Sequence, residues 1–454
     1  MPKTKAKVNY VCQNCGYVTS SWLGKCPECG TWGSLVEELE TAPKNTQSYL
    51  AFMEATKPKS LRSVNQLQVK RLVTGIGEFD RVLGGGIVPG SLVLLGGDPG
   101  IGKSTMLLDV ALRFSLDGVG VLYVSGEESE EQTAMRAARL GTGTDKLLIM
   151  TATDLGGILL QAEQVKPALL VVDSIQTMYC SELPTAAGSV GQVRECTARL
   201  LKFAKTSGIA VLIIGHMTKE GSIAGPRLLE HMVDVVLQFE GDRSYAFRVL
   251  RAMKNRFGST NECGIFSMEE GGLKEIANPA GLFLQQRKQP VTGAIVCGCM
   301  EGNRPLMVEF QALVARTPYG MPRRTAVGFD FNRVNMLLAV LERHAGLDFG
   351  AFDAYVNVVG GMRITETAAD LAIITALVSS HKNRPVPYGV LTFGEVGLTG
   401  EIRRVALPER RIAAAAKLGF TKFVVPAGLP DKGNVPPGVV SVSTVQEALK
   451  AIFS

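Results

Sequence analysis

One segment constrains this chain more than any other. Gly97-Asp98-Pro99-Gly100-Ile101-Gly102-Lys103-Ser104-Thr105 follows the apolar run Leu92–Leu95 and opens the helical pattern Lys103–Leu116. A G-x4-G-K-[ST] loop between a buried strand and a helix wraps a phosphate with backbone amides, and the helix N-terminus adds its dipole. In that setting Lys103 reaches the β- and γ-phosphates, the Ser104 hydroxyl binds Mg²⁺, and Thr105 borders the α-phosphate. The segment predicts an ATP (or ADP) site on a parallel sheet.

The surrounding pattern agrees. Strand-like runs at Val119–Val124, Leu147–Met150, Leu169–Val172, Ile209–Ile214 and Val233–Phe239 alternate with helical segments such as Lys103–Leu116 and Glu130–Leu140. Short apolar strands separated by helices predict a mainly parallel sheet covered on both faces. Leu169-Leu170-Val171-Val172 ends in Asp173, at the edge where ligands of parallel sheets gather, so Asp173 is the expected second Mg²⁺-side acid. Val121–Val124 runs into Ser125-Gly126-Glu127-Glu128, where Glu127 is the expected water-activating acid and Glu128 the alternative; an acidic helix start is the competing explanation. His216 follows the Ile209–Ile214 strand at the same edge, next to Thr218 and Lys219, and is read as a γ-phosphate sensor against a purely structural role.

With 454 residues the chain has room for two or three cores. Four regions are expected: a cysteine-rich module over 1–36, a polar linker over 37–60, the ATPase over 61–273, and a separate α+β domain over 279–454 with helices at Asp370–Ser380 and Pro408–Lys417. The net charge of +6 permits anionic partners without demanding them. No run reaches the ~18 apolar residues of a membrane span, and no apolar segment follows the basic N-terminus, so a cytoplasmic protein without membrane contact is expected.

Cys12-x2-Cys15 and Cys26-x2-Cys29 form two close pairs, the spacing that places four thiolates at the corners of a tetrahedron. The array predicts a closed structural Zn²⁺ site, with iron as the alternative for the same ligands. A module this small draws its folding energy from the metal. Trp22 and Trp32 are expected to pack the ribbon, the alternative being a partner-facing surface.

Taken in order, the four-cysteine ribbon, the GDPGIGKST loop, Asp173 and Lys254-Asn255-Arg256-Phe257-Gly258 closely resemble the bacterial RadA (Sms) family of recombination and repair proteins along essentially the whole chain. The resemblance implies a RecA-like ATPase core in a ring hexamer, ATP-driven movement on single-stranded DNA, and branch migration of branched recombination intermediates together with RecA. It also implies that the ribbon contributes to contact with RecA and DNA. Lys254 and Arg256 follow the expected strand Tyr245–Met253 and lie two residues apart, hence on one face when extended. In ring ATPases such cations reach the neighbouring subunit's nucleotide, and that is the role expected here; a DNA phosphate contact is the alternative. Gly258 is read as permitting a turn. Two loops, Met178–Gln192 and Lys219–Arg227, are expected to face a central channel.

From about Pro279 the chain resembles the proteolytic domain of Lon, through Ile364–Ser379 and Thr392–Glu401 to Arg411. Alignment of the patterns places Ala368 where the nucleophilic Ser belongs and Arg411 where the Lys base belongs. Alanine carries no nucleophile and arginine keeps its proton, so the resemblance implies a scaffold without the Ser-Lys dyad and not a protease. Ser379 and Ser380 lie at the far end of the helix and are not expected to substitute. The basic pairs Arg323-Arg324, Arg403-Arg404 and Arg410-Arg411 suit duplex DNA phosphates, or equally contacts between subunits. A protein-directed signalling ATPase of related fold is the rival function.

Overall fold

The structure, a computed structural model, describes residues 7–12, 17–28, 30–40, 70–215, 228–241, 247–269, 271–276, 279–281, 284, 289–317, 320–428 and 436–454. Backbone contacts divide the chain into Met1–Glu240 with Ala246–Glu275, and Gly241–Tyr245 with Ile276–Ser454.

In the N-terminal ribbon, β1 (Lys7–Cys12) pairs antiparallel with both β2 (Val18–Thr19) and β3 (Leu35–Glu40). The β1–β3 ladder continues to Lys7 opposite Glu40, so the ribbon runs four residues past the boundary expected at 36. That extends strand pairing into the segment read as linker.

The ATPase core is built on β4 (Leu92–Gly97), β5 (Val121–Ser125), β6 (Leu147–Thr151), β7 (Leu169–Asp173), β8 (Ala210–Ile214) and β9 (Val235–Glu240), all parallel in the order β9-β4-β8-β7-β5-β6. Both faces are covered because alternate residues of each central strand feed different cores. Val93, Leu95, Leu169 and Val171 enter one cluster, and Leu92, Leu94, Leu170 and Val172 the other. Helices α1 (Gly77–Leu83), α2 (Lys103–Leu116), α3 (Glu130–Leu140), α4 (Leu155–Val165), α5 (Val190–Ser207) and the short α6 (Leu228–Met232) supply the covering layers. Three antiparallel strands, β10 (Phe247–Asn255), β11 (Cys263–Glu269) and β12 (Gly272–Glu275), extend the sheet beyond β9. Of these the sequence suggested only the first.

The C-terminal unit has a mixed sheet in the order β15-β16-β14-β13-β17-β20-β21. The long hairpin of β13 (Ala294–Glu301) and β14 (Arg304–Arg316) is flanked by β15 (Arg324–Val327), β16 (Phe352–Val358), β17 (Val390–Thr392), β20 (Lys422–Pro426) and β21 (Val439–Val442). β18 (Glu395–Val396) and β19 (Ile402–Arg403) form a small separate ribbon. α8 (Asp370–His381) is buried from Asp370 through Ser379, while α7 (Phe331–Ala345), α9 (Pro408–Lys417) and α10 (Val445–Phe453) each bury one stripe.

Candidate functional site

Each α-helix start described with a cap residue, α2 apart, has either a capping side chain or, in α1, α8 and α9, an acid in its first turn. Ser129 and Gln132 form a reciprocal capping box on α3, Asp154 caps α4, and Ser189 caps α5. α2 is different. Its cap residue is Gly102 at φ 114°, no side chain bonds the first amides, and its first turn holds no acid. Orphan N–H groups at a helix N-terminus with no competing carboxylate attract an anion. The strand-to-helix loop before it requires glycine at Gly97, where φ is 146° and a Cβ would lie 2.8 Å from the Phe239 carbonyl oxygen.

Lys103 is buried, and its Nζ donates to the carbonyls of Gly97 (2.8 Å) and Asp98 (2.9 Å), bracing the loop from inside. Burial pulls its ammonium below the usual lysine value, while Asp173, Asp98 and Glu127 act in the opposite direction. Ser104 and Thr105 are half-buried in the first turn; Asp98, Pro99 and Gly100 are exposed, and Ile101 anchors the loop in the core.

At the tips of the adjacent strands, Asp173 accepts a hydrogen bond from the Tyr123 hydroxyl at 2.8 Å. Burial first, and then Asp173, keeps the Tyr123 phenol well above its ordinary pKa, so it remains a donor. The Gly126 amide donates to the Asp173 carbonyl at 2.7 Å, tying the β5 and β7 tips together. The Asp173–Ser174 peptide is cis, and the Ser174 hydroxyl donates to Glu127 Oε1 at 2.5 Å. Glu128 turns the other way, into an ion pair with Arg136 of α3. Asp173 and Glu127 both act on Lys103, whereas Glu128, paired with Arg136, acts on Tyr123. Tyr123 and Ser174 were missed by sequence reasoning; a phenol in an otherwise aliphatic strand, four residues before Glu127, was the available signal. His216 and the loop Lys219–Arg227 lie outside the described residues.

The Lys254–Gly258 segment is anchored residue by residue. Lys254 Nζ donates to the carbonyls of Glu230, Val233 and His231 at 2.7, 2.8 and 3.1 Å, closing the C-terminus of α6. Asn255 donates to the Val82 carbonyl at 3.2 Å. Arg256, with its side chain 55% exposed, pairs with the buried Asp234 at 3.3 Å. The Phe257 carbonyl accepts from Arg71 at 2.7 Å. Gly258 sits against Gly84, where a Cβ would meet the Gly84 Cα at 3.1 Å. Close approach, rather than a turn at positive φ, explains that glycine. Because β10 runs antiparallel to β9, this segment reaches the sheet edge opposite the phosphate loop. Asp234, which holds Arg256, bonds at the level of Leu92, and the loop begins at Gly97, roughly 17 Å further along at ~3.3 Å per residue. Lys254 and Arg256 do not approach their own chain's phosphate loop.

The expected loop Met178–Gln192 is corrected in its bounds, since the helix already begins at Val190. Gln192 sits on α5 and bonds back to Cys180, Leu183 and Thr185, while Met178 and Cys180 are buried. The loop is thus stitched to its own helix, and Gln192 belongs to the helix rather than to the loop.

In the ribbon, the Cys12 amide donates to the Tyr17 carbonyl (2.8 Å) and the Cys26 amide to the Thr31 carbonyl (2.9 Å), the same five-residue closure twice. Cys12 and Cys26 are buried against Leu35, whereas Cys15 and Cys29 lie outside the described residues. Paired turns of identical closure and a four-thiol donor set fit a tetrahedral metal. Trp22 and Trp32 are 61% and 75% exposed, so the expectation that they pack the ribbon is corrected.

In the C-terminal unit, Ala368 is buried and Arg411 is 1% exposed. Arg411 donates to Glu366 Oε1 (3.0 Å) and Oε2 (2.8 Å), to the Gly298 carbonyl (2.6 Å) and to the Ala406 carbonyl (3.0 Å). Arg411 therefore cannot meet DNA, which removes it from the basic pairs. Arg403 pairs with Glu401 (2.5 Å) and Glu395 (3.7 Å), while Arg323 and Arg410 are exposed. Ser379 donates to the Arg384 carbonyl at 2.6 Å and Ser380 accepts from the Val314 amide at 2.9 Å, so both hydroxyls are committed to structure.

Residues 58–222 match the AAA domain family, and residues 10–37 match the rubredoxin metal binding domain. Several relatives about 50% identical along nearly the whole chain are called DNA repair protein RadA. That of Bacillus subtilis strain 168 is 51% identical, covering 99% of this chain and 99% of its own. The chain belongs to the RadA family. The RadA protein of Listeria monocytogenes serovar 1/2a is 49% identical over 99% of each chain. Among solved structures, the KaiC-like protein PH0186 from Pyrococcus horikoshii OT3 is a distant likeness, at 21% identity, TM-score 0.39, and coverage of 46% of this chain and 99% of that one. Membership in the RadA family, with the AAA match over the phosphate loop, makes the core that of an ATP-hydrolysing enzyme. Among the described residues, no helix is long and apolar enough to cross a membrane.

Proposed function

We propose that the chain is a DNA-dependent ATPase that moves on single-stranded and branched DNA in recombination and repair, promoting branch migration with RecA as a ring, probed first as a hexamer. One observation carries the reading: the phosphate loop and Arg256 lie at opposite edges of one sheet. A site whose cation comes from the next subunit is completed only by assembly, which is how ring motors couple neighbouring sites.

The residues fit a nucleotide with Mg²⁺. Bound there, they would supply the phosphoanhydride and the cation that polarises it. The α2 amides and Lys103 hold the phosphates, with Ser104 and Asp173 on the metal side. Tyr123 fixes the Asp173 carboxylate by its hydrogen bond, in a position from which it would help hold Mg²⁺. Glu127 orients the attacking water and takes its proton, with Ser174 holding the carboxylate in place. His216 is assigned the γ-phosphate sensing role. Arg256 faces the neighbour, and Lys254, bound to the α6 carbonyls, sets the angle from which it does so. Cys12, Cys15, Cys26 and Cys29 hold Zn²⁺. Ala368 and Arg411 leave the C-terminal unit without peptidase chemistry, and the exposed Arg323, Arg403 and Arg410 offer it a phosphate-binding role.

The test is ATP hydrolysis by the wild type and Lys103→Ala, with and without single-stranded DNA. Stimulation by DNA that vanishes in the variant is expected. Turnover indifferent to DNA in the assembled protein would refute the motor and favour a protein-directed ATPase.

A further inference from the structure

The chain contains two tryptophans, and both are exposed on the ribbon, at 61% for Trp22 and 75% for Trp32. An indole is among the costliest side chains to leave in water, so two together call for a ligand. They are side by side. A Cβ at Gly24 would lie 3.7 Å from Cζ3 of Trp32 and 3.8 Å from Cη2 of Trp22, so the two rings approach each other over a residue with no side chain to obstruct them. The hairpin beneath is fixed by the Gly33 amide bonding the Gly24 carbonyl at 2.8 Å and by the Lys25–Trp32 bridge. The exposed Lys25 ammonium is 5.8 Å from the Trp32 ring centre. Among the described residues, the ribbon core is Cys12, Cys26 and Leu35 with Tyr10 and Tyr17 against it, and it includes neither ring.

We propose that Trp22 and Trp32 form a stacking platform for unpaired nucleobases, with Lys25 contacting the adjoining phosphate. Area and charge decide the occupant. Two indoles at this exposure offer about 300 Å², far below the ~800 Å² per partner of a stable protein interface but sufficient for two stacked bases. Open π-faces accept any base, and a neighbouring cation suits a polyanion, the combination used by proteins that bind single strands without sequence preference. The platform rests on the reading that DNA is the partner, and it gives the ribbon a contact of its own, separate from the ATPase sheet.

The intrinsic tryptophan emission of the full-length, zinc-loaded protein reports this platform alone, because no other tryptophan exists in the chain. Titration with a single-stranded oligothymidylate, without nucleotide, is expected to quench it saturably. Trp32→Ala and Trp22→Ala should each weaken binding at least ~5-fold, and Trp32→Phe should retain most of it. The wild-type titration needs no variant to fold. DNA-stimulated ATP turnover with unmoved emission overturns the platform and leaves the motor intact. Quenching by DNA with turnover indifferent to DNA supports the platform and removes the motor. Emission that responds to a recombinase filament but not to the bare oligonucleotide overturns the nucleic-acid assignment in favour of protein docking.

Discussion

Replacing Glu366 with Ala isolates what the buried pair in the C-terminal unit contributes. The change strips Arg411 of both carboxylate contacts and leaves its charge at 2% side-chain exposure, with the Gly298 and Ala406 carbonyls and the face of the Phe393 ring as its remaining described partners. It also removes the acceptor of the Met300 amide, now bonded at 2.6 Å. Removing one partner of a buried pair costs about 3–5 kcal/mol. Glu366 is itself 24% exposed, so water screens part of the loss and the lower end, ~3 kcal/mol, applies. For a unit of this size each kcal/mol moves Tm by ~2–4 °C, giving a fall of about 6–12 °C. Calorimetry of the full chain, following the C-terminal transition, measures it directly. The double variant Glu366→Leu with Arg411→Met removes both charges and should recover most of the loss, because an apolar pair of similar volume requires no compensating partner. A fall below ~2 °C in the single variant, or a double variant no better than the single, would refute the claim that an unpaired buried cation dominates the cost.

Two further outcomes test the ATPase site. Glu127→Gln should lower kcat by about 10²–10⁴, whereas Glu128→Gln, which breaks a half-buried pair with Arg136, should cost under ~1 kcal/mol of stability and leave turnover near wild type; equal kinetic losses would return the assignment to open ground. The lowered Lys103 pKa predicts opposite pH trends: as pH rises through the folded value, below 10.5, nucleotide affinity falls as the ammonium is lost, while stability of the nucleotide-free protein rises because the unfolded chain still holds that proton. Fluorescent-nucleotide binding and urea unfolding across alkaline pH read the two signs, and Lys103→Arg should flatten both.

The ATPase sheet was legible because its strands are buried on both faces and so read as continuous apolar runs; α2 and α3 begin and end where their residues suggested. Lys103 and Asp173 were legible because their positions follow from a loop and a strand tip. What escaped detection depends on partners distant in sequence. Nothing local indicates that Gln192 reaches back to Cys180 and Thr185, or that Arg411 is held by Glu366 and Gly298 rather than by solvent. Likewise, two tryptophans in a small module suggest a core. Only the three-dimensional ribbon shows that the cysteines and Leu35 fill that core and leave the indoles outside. The edge strand β12 was missed because a short, half-exposed strand carries a weak apolar signature, and β11, paired on both sides, because its buried run Cys263–Phe266 is only four residues long.

Arg256 faces away from its own phosphate loop, and under the proposed assembly this has a genetic consequence. A copy lacking Lys103 can still lend its arginine to a neighbour, and a copy lacking Arg256 can still bind nucleotide. Two alleles, each inactive alone, would then complement within one mixed ring, wherever an intact loop abuts an intact arginine. A copy carrying both lesions in one chain could only poison its neighbours, and would behave as the more dominant allele.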